Sequence, residues 1–338
     1  MAAILAILNS IRRAVQRDLR SFEAIKFNNF FLLVALLTVM QPQSAAFLLL
    51  LLGALVLFPI SSDPLAKIPA SRLQLWPLST MQRFVLRIAS IALSPIVWIA
   101  VILILRKVNY VVALLLVGLA AAVQFLMMET KWLVLRAPRW NPFLYVPRPP
   151  GRFGFVIQKD IRDLFTLLDT WLAILFCIGA VCYRFLSRHP NAAAFPIISI
   201  LIVIILSTYT QSLFGLELNF ALVRYRLLPL RGYEILLAKD MAILGLLVVL
   251  VVPLSPLTGL TAGLAALAIG HHSSVLIHLP QKRWRFTSGT IWPIGVVQIA
   301  ACFVLGLSEQ QNRAIALILA GAAYIVSLWW YGRKWERG

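Results

Sequence analysis

Acidic residues are scarce in this chain. Only 12 Asp and Glu stand against 31 Lys and Arg, and charged residues of both signs make up 13% of the 338 positions. An ordinary soluble domain carries about 25%, so this shortage, beside a hydrophobic content of 61%, points to a polytopic membrane protein. The basic excess does not point to nucleic acid, which needs a soluble basic face for phosphates. Here the Lys and Arg occupy short gaps between apolar runs, as in loops held on the cytoplasmic side of a membrane. Cysteine is nearly missing too. Cys177, Cys182 and Cys302 all fall inside apolar runs and supply neither a disulfide framework nor a Cys-x-x-Cys metal spacing, which leaves packing. The opening residues do not read as a secretory signal, because Arg12 and Arg13 interrupt the apolar run and no small-residue cleavage site follows. There is no G-x4-G-K-[ST], no H-E-x-x-H, no Asp-rich motif and no nucleophile with an adjacent base, so the chain offers no catalytic motif of its own.

What is present is long apolar runs. Ten segments are expected to span, at roughly 28–42, 44–61, 86–105, 109–128, 166–186, 194–214, 240–256, 258–278, 290–307 and 313–331. With both termini inside, all but five of the basic residues (Arg106, Lys107, Arg184, Arg188 and Arg313) lie on the inner side, which sets an N-in/C-in orientation. Trp329, Trp330, Tyr331 and Trp335 then read as an interfacial belt at the last exit. Before the first span, Ile4, Leu8, Ile11, Val15, Leu19 and Phe22 recur at steps of three and four, with Arg12, Arg13, Gln16, Arg17 and Arg20 on the other face. That pattern predicts a basic amphipathic helix lying among anionic inner headgroups.

The chain also writes part of itself twice. RLQLWPLSTMQRFVLR at 72–87 aligns with RYRLLPLRGYEILLAK at 224–239, placing Arg72 on Arg224, Pro77-Leu78 on Pro229-Leu230 and Arg87 on Lys239. Upstream, VQRDLRSF at 15–22 aligns with IQKDIRDL at 157–164, so Asp18 falls on Asp160. Both elements recur in the same order with apolar runs after each, as in a duplicated membrane unit. The expected organisation is an all-α protein in two unequal repeats. Residues 1–128 hold an interfacial helix and four spans, 129–156 a Pro/Arg-rich cytosolic linker, and 157–338 an interfacial helix and six spans.

The stretch SLFGLELNFALVRYRLLPLRGYEILLAKDMA at 212–242 resembles the loop between the second and third spans in permease subunits of bacterial ATP-binding cassette exporters. Phe214-Gly215, Glu217 and Asn219, Leu228-Pro229-Leu230 and Lys239 carry the likeness. The first half matches less well, with Phe58-Pro59 in place of Phe-Gly, Trp76 for the first Leu and Arg87 for Lys. The resemblance implies that the inside loop is a coupling element docking on a separate cytosolic ATPase, expected as a dimer. Arg72, Pro77, Leu78, Arg87, Arg224, Pro229, Leu230 and Lys239 would be its coupling residues. It implies a cytoplasmic (inner) membrane location, export as the direction, no cofactor in this chain, and ATP with Mg on the partner. Two coupling elements in one chain suggest one permease per ATPase dimer, with self-association or a second permease as the rival stoichiometry. Membrane lipids are further expected partners. A proline start, an amphipathic turn and a cation at the boundary suit a part that transmits force, and Arg87 and Lys239 are expected to snorkel there.

Other groups are less specific. His271, His272 and His278 invite a metal reading, but no carboxylate or thiolate stands near them in sequence, so packing or interfacial hydrogen bonding is the default. His271 and His278, seven apart, are expected on one helix face. Asp169 is the one acid well inside a span, and either pairs with a linker cation, lines a translocation path or snorkels. Pro95, Pro253, Pro256 and Pro293 lie in or beside spans, where kinks are tolerated. Two other functional classes stay open: a membrane enzyme acting on lipid or polyprenyl phosphate, and a non-transporting scaffold.

Overall fold

A computed structural model describes residues 148–217, 225, 227–281, 283, 286 and 289–337, with isolated positions at Asn9, Ser79, Met81, Gln82, Val85, Val111, Leu115, Gly118 and Ala122. The chain divides into two compact units, Met1–Pro138 and Arg139–Gly338. The expected first-repeat spans, most of the linker, and Arg72, Pro77, Leu78, Arg87 and Arg224 lie outside the described residues.

Every regular element described in the second unit is helical. In order these are α1 (Gly154–Leu164), α2 (Leu168–Leu186), α3 (Ala194–Thr210), α4 (Gly232–Val251), α5 (Pro256–Leu276), α6 (Trp292–Gln311) and α7 (Arg313–Arg337). Helices α2, α6 and α7 are long and apolar enough to cross a membrane, and a helix of ~20 residues matches the ~30 Å hydrocarbon thickness. The protein is therefore read as an integral membrane protein. On α6 and α7, Val296, Val304, Ile318, Ile325 and Val326 are exposed, as lipid-facing residues should be.

Helix α3 sits at the centre. From Ile198 to Thr210 every residue is buried, because α2, α4, α5 and α6 all pack on it. Helix α5 is the other hub, packing on α3, α4, α6 and α7. Its small residues make this close packing feasible in a bundle held by van der Waals contact rather than by water exclusion. At Gly270, an added Cβ would meet the Thr210 carbonyl carbon at 2.8 Å, so α3 and α5 touch backbone to backbone there.

The expected interfacial helix of the second repeat is α1, and it runs almost directly into α2. Three residues separate them, and the bend is stitched by Thr170 Oγ1 donating to the Leu164 carbonyl (2.7 Å) and Trp171 Nε1 to the Phe165 carbonyl (3.0 Å). The prolines described here do not kink spans. Pro256 opens α5 and Pro293 lies in the first turn of α6, where a missing N–H costs nothing. Pro253 falls in the turn between α4 and α5. Helix α3 stops at Thr210, short of the expected 214, and the chain turns through 211–216.

In both copies of the repeated loop a long polar side chain turns back to accept the backbone N–H three residues earlier. In the first unit, Gln82 Oε1 accepts the Ser79 backbone N–H (3.1 Å) while Ser79 Oγ accepts the Gln82 N–H (3.3 Å), a capping box. In the second, the aligned Glu234 accepts the Arg231 N–H on Oε2 at 2.8 Å. Arg231 has no side-chain acceptor to return the bond, so only half of the box survives.

Candidate functional site

The loop between α3 and α4 ends on a buried cluster of charge. Lys239, about two turns into α4, is wholly inaccessible. Its Nζ donates to Glu217 Oε1 (2.7 Å), Asp160 Oδ1 (3.1 Å) and the Leu213 carbonyl (3.0 Å). Lys159 Nζ reaches the same Glu217 oxygen at 2.6 Å and Asp163 at 3.4 Å. Tyr225, in the loop itself, donates its hydroxyl to Glu217 Oε1 (2.8 Å). The rings of Phe214 and Tyr225 lie 4.8 and 5.1 Å from the Lys239 ammonium, within cation–π range. Phe214 in turn stacks on Trp335 of α7, centroids 6.0 Å apart and planes at 13°. One ammonium thus ties α1, the end of α3, the loop and α4 together.

The electrostatics follow from crowding charge away from water. Burial raises the Asp160 carboxyl above its ordinary value, outweighing Lys239 and Lys159. Burial would raise Glu217 as well, but the two ammonium groups beside it win and hold it low. Burial works to lower Lys159, yet Asp160 and Glu217 hold it above the usual lysine range. The Tyr225 phenol is pushed up to about 12, chiefly by burial. Buried ions of this kind need partners on every side, and those partners come from four separate segments.

Beyond this base the loop presents an apolar tip. Leu227 is 79% exposed, Leu228 40%, and Pro229 is exposed, while Leu230 is half-buried. The tip is held from behind. Arg152, ahead of α1, pairs with Glu234, and the Gly232 N–H donates to Glu336 Oε1 of α7 at 2.6 Å. At that crossing an alanine Cβ on Gly332 would sit 2.6 Å from the Tyr233 Cα, so glycine is required.

Several expectations change. Lys239 does not snorkel; its charge is consumed inside the protein. Trp335 is not in the interfacial belt but buried against Phe214, whereas Trp329 and Trp330 are exposed as expected. His271 and His278 do not share a helix, because α5 ends at Leu276 and His278 follows in the left-handed region (φ 48°). A carboxylate does accompany His271: Asp240, from another helix, lies 3.0 Å away. His272 Nδ1 meets the Tyr331 hydroxyl at 3.0 Å. Asp169 is buried and accepts a hydrogen bond from Thr208 Oγ1 at 2.9 Å, rather than snorkelling. No group of three His, Cys, Asp or Glu suited to a metal occurs among the described residues. Cys177 and Cys302 are buried, with their thiols against helix carbonyls.

Asp160, Lys159 and Tyr225 were not read as site residues from sequence. The signal was present for one of them. The repeat keeps an acid at Asp18 and Asp160 and a base at Arg87 and Lys239, and an acid and a base kept together in both copies suggest a pair. Compared with known proteins, the chain matches no family model, no curated protein and no solved structure.

Proposed function

We propose that the chain is the permease subunit of an ATP-binding cassette exporter in the cytoplasmic membrane, driven by a separate ATPase that docks on the loop between α3 and α4. On this reading the protein has ten spans in repeats of four and six, with both termini inside. The observation that carries it is the exposed Leu227-Leu228-Pro229 tip standing on a base of buried charge. An apolar tip in a loop on the basic inner side has no lipid to enter, and its exposure is the cost of meeting a partner. Its base suits force transmission. A push on the tip reaches α4 through the capped start at Arg231 and reaches α1 and α3 through Lys239. Pro229 and Leu230 belong to this docking element, and Lys239 acts as its anchor. Arg72, Pro77, Leu78 and Arg87 would serve the same role in the first repeat, with Arg224 beside the second.

The test is affinity capture of the tagged, detergent-solubilised chain from its native host. Wild type should retain an ATPase with Walker motifs, and a Leu227→Glu/Leu228→Glu variant should lose it while melting normally. Normal expression with no ATPase recovered in either case would sink the proposal.

A further inference from the structure

A second buried polar cluster plays no part in the docking loop. It joins α4, α5 and α7 within the helix bundle. His271 and Asp240 are both wholly inaccessible, with Nε2 and Oδ2 3.0 Å apart. Tyr324 donates its hydroxyl to the same Asp240 oxygen at 2.9 Å. His271 Nδ1 lies 3.0 Å from Ser327 Oγ, and Ser327 donates to the Ala268 carbonyl at 2.6 Å.

These contacts count the protons. A serine hydroxyl has a single hydrogen, and Ser327 gives it to Ala268. The contact from His271 to Ser327 therefore runs the other way, with Nδ1–H donating. That leaves Nε2 facing Oδ2, which already accepts from Tyr324. A bare nitrogen lone pair against a bare carboxylate oxygen would repel, so one hydrogen lies between them. The pair is either carboxylate with imidazolium or carboxylic acid with imidazole. The two forms differ only in which atom the proton sits on, and both are neutral overall.

Removing that proton would leave a net negative charge among apolar helices, and adding another a net positive one, and an unpaired buried charge is disfavoured there. Among the described residues no group donates to the other Asp240 oxygen, Oδ1, although it too is buried. Several other ionisable groups on the surrounding helices are engaged elsewhere or buried. Lys239 on α4 turns to Asp160 and Glu217, His272 on α5 to Tyr331 on α7, and Tyr209 on α3 is buried.

We propose that Asp240 and His271 form a proton-binding site that holds one proton while α4, α5 and α7 are packed and exchanges it with water when they part. Proton movement is then tied to opening of the bundle. The site goes beyond the exporter reading, and its test needs no ATPase. The full chain is reconstituted into liposomes with a pH-reporting dye inside, and a pH gradient is imposed. Wild type should dissipate the gradient several-fold faster than empty liposomes. Asp240→Asn and His271→Gln should each return the rate to that of empty liposomes, and Cys302→Ala should not. Tyr324→Phe removes only a hydroxyl and provides a second, milder variant, expected to slow the decay if the carboxyl substitution prevents folding. Wild-type liposomes no leakier than empty ones would overturn the proposal, as would equal rates in wild type and the Asp240, His271 and Tyr324 variants. A matching loss of a potassium gradient would also overturn it by showing a nonspecific leak.

Discussion

Lys239→Met is the sharpest test of the buried charge cluster. The substitution keeps length and apolar volume but removes an ammonium with two carboxylates within 3.1 Å and a carbonyl at 3.0 Å. Each attraction amounts to about 4 kcal/mol for a pair at ~4 Å and an effective dielectric of ~20, most of it offset by the cost of desolvating the lysine. What decides the outcome is the state left behind. Among the described residues Asp160, wholly buried, would keep Lys159 alone at 3.8 Å, while Glu217 would keep Lys159 and Tyr225. Breaking a buried pair in this way costs roughly 3–5 kcal/mol. For a unit of this size each kcal/mol is worth about 2–4 °C, so a thermal melt in mild detergent should fall by roughly 6–20 °C. Adding Asp160→Asn should recover part of the loss, with a coupling of ~0.5–3 kcal/mol. Arg283→Ala breaks the more exposed pair to Asp163 (3.1 Å) and should cost at most about 1 kcal/mol. If Lys239→Met melts within a degree or two of wild type, or if the two changes simply add, the cluster does not hold the loop as argued.

Other outcomes follow from the same geometry. Gly332→Ala must push α7 away from Tyr233 of α4 and should destabilise by about 1–3 kcal/mol, measured as an earlier melt; an unchanged melt would mean that the crossing is looser than described. The Tyr225 phenol binds its proton more tightly folded than unfolded, with a value near 12 against an ordinary ~10. Stability should therefore fall as pH rises through that window, and Tyr225→Phe should make the alkaline decline shallower in melts taken across it. Glu217 is held low by Lys239 and Lys159, so its contribution is present above the ordinary glutamate value and lost as pH falls through its lowered one. Glu217→Gln should flatten that acid limb. Cys177 and Cys302 should resist maleimide in the folded protein and react once it is denatured, read by mass shift.

Much of this protein could be read from its sequence because a bilayer leaves few choices. Apolar runs with no water to satisfy backbone groups must become helices, and six of the seven helices described in the second unit overlap expected apolar segments, although α4 begins at Gly232, well ahead of the expected 240, and three of the six are long and apolar enough to cross a membrane. The short amphipathic run at 157–164 gave the seventh. The repeat located the loop that carries the exposed tip, since proline and leucine at a fixed distance from a cation are not demanded by topology. The tertiary structure decided where the charges go. Sequence placed Lys239 at a membrane boundary and Glu217 in the loop ahead of it, with nothing to pair them. Only packing α1 against α4 brings Asp160, 79 positions away, close enough to pair with Lys239 and let the lysine bury itself. The same holds for Asp240 and His271, which share no sequence spacing that signals contact and meet because α4, α5 and α7 converge. Local pattern reports the period and polarity of each helix, whereas the partner of a buried charge is set by which helix faces it. In a bundle that choice is made by small residues and backbone approach, as at Gly270 and Gly332.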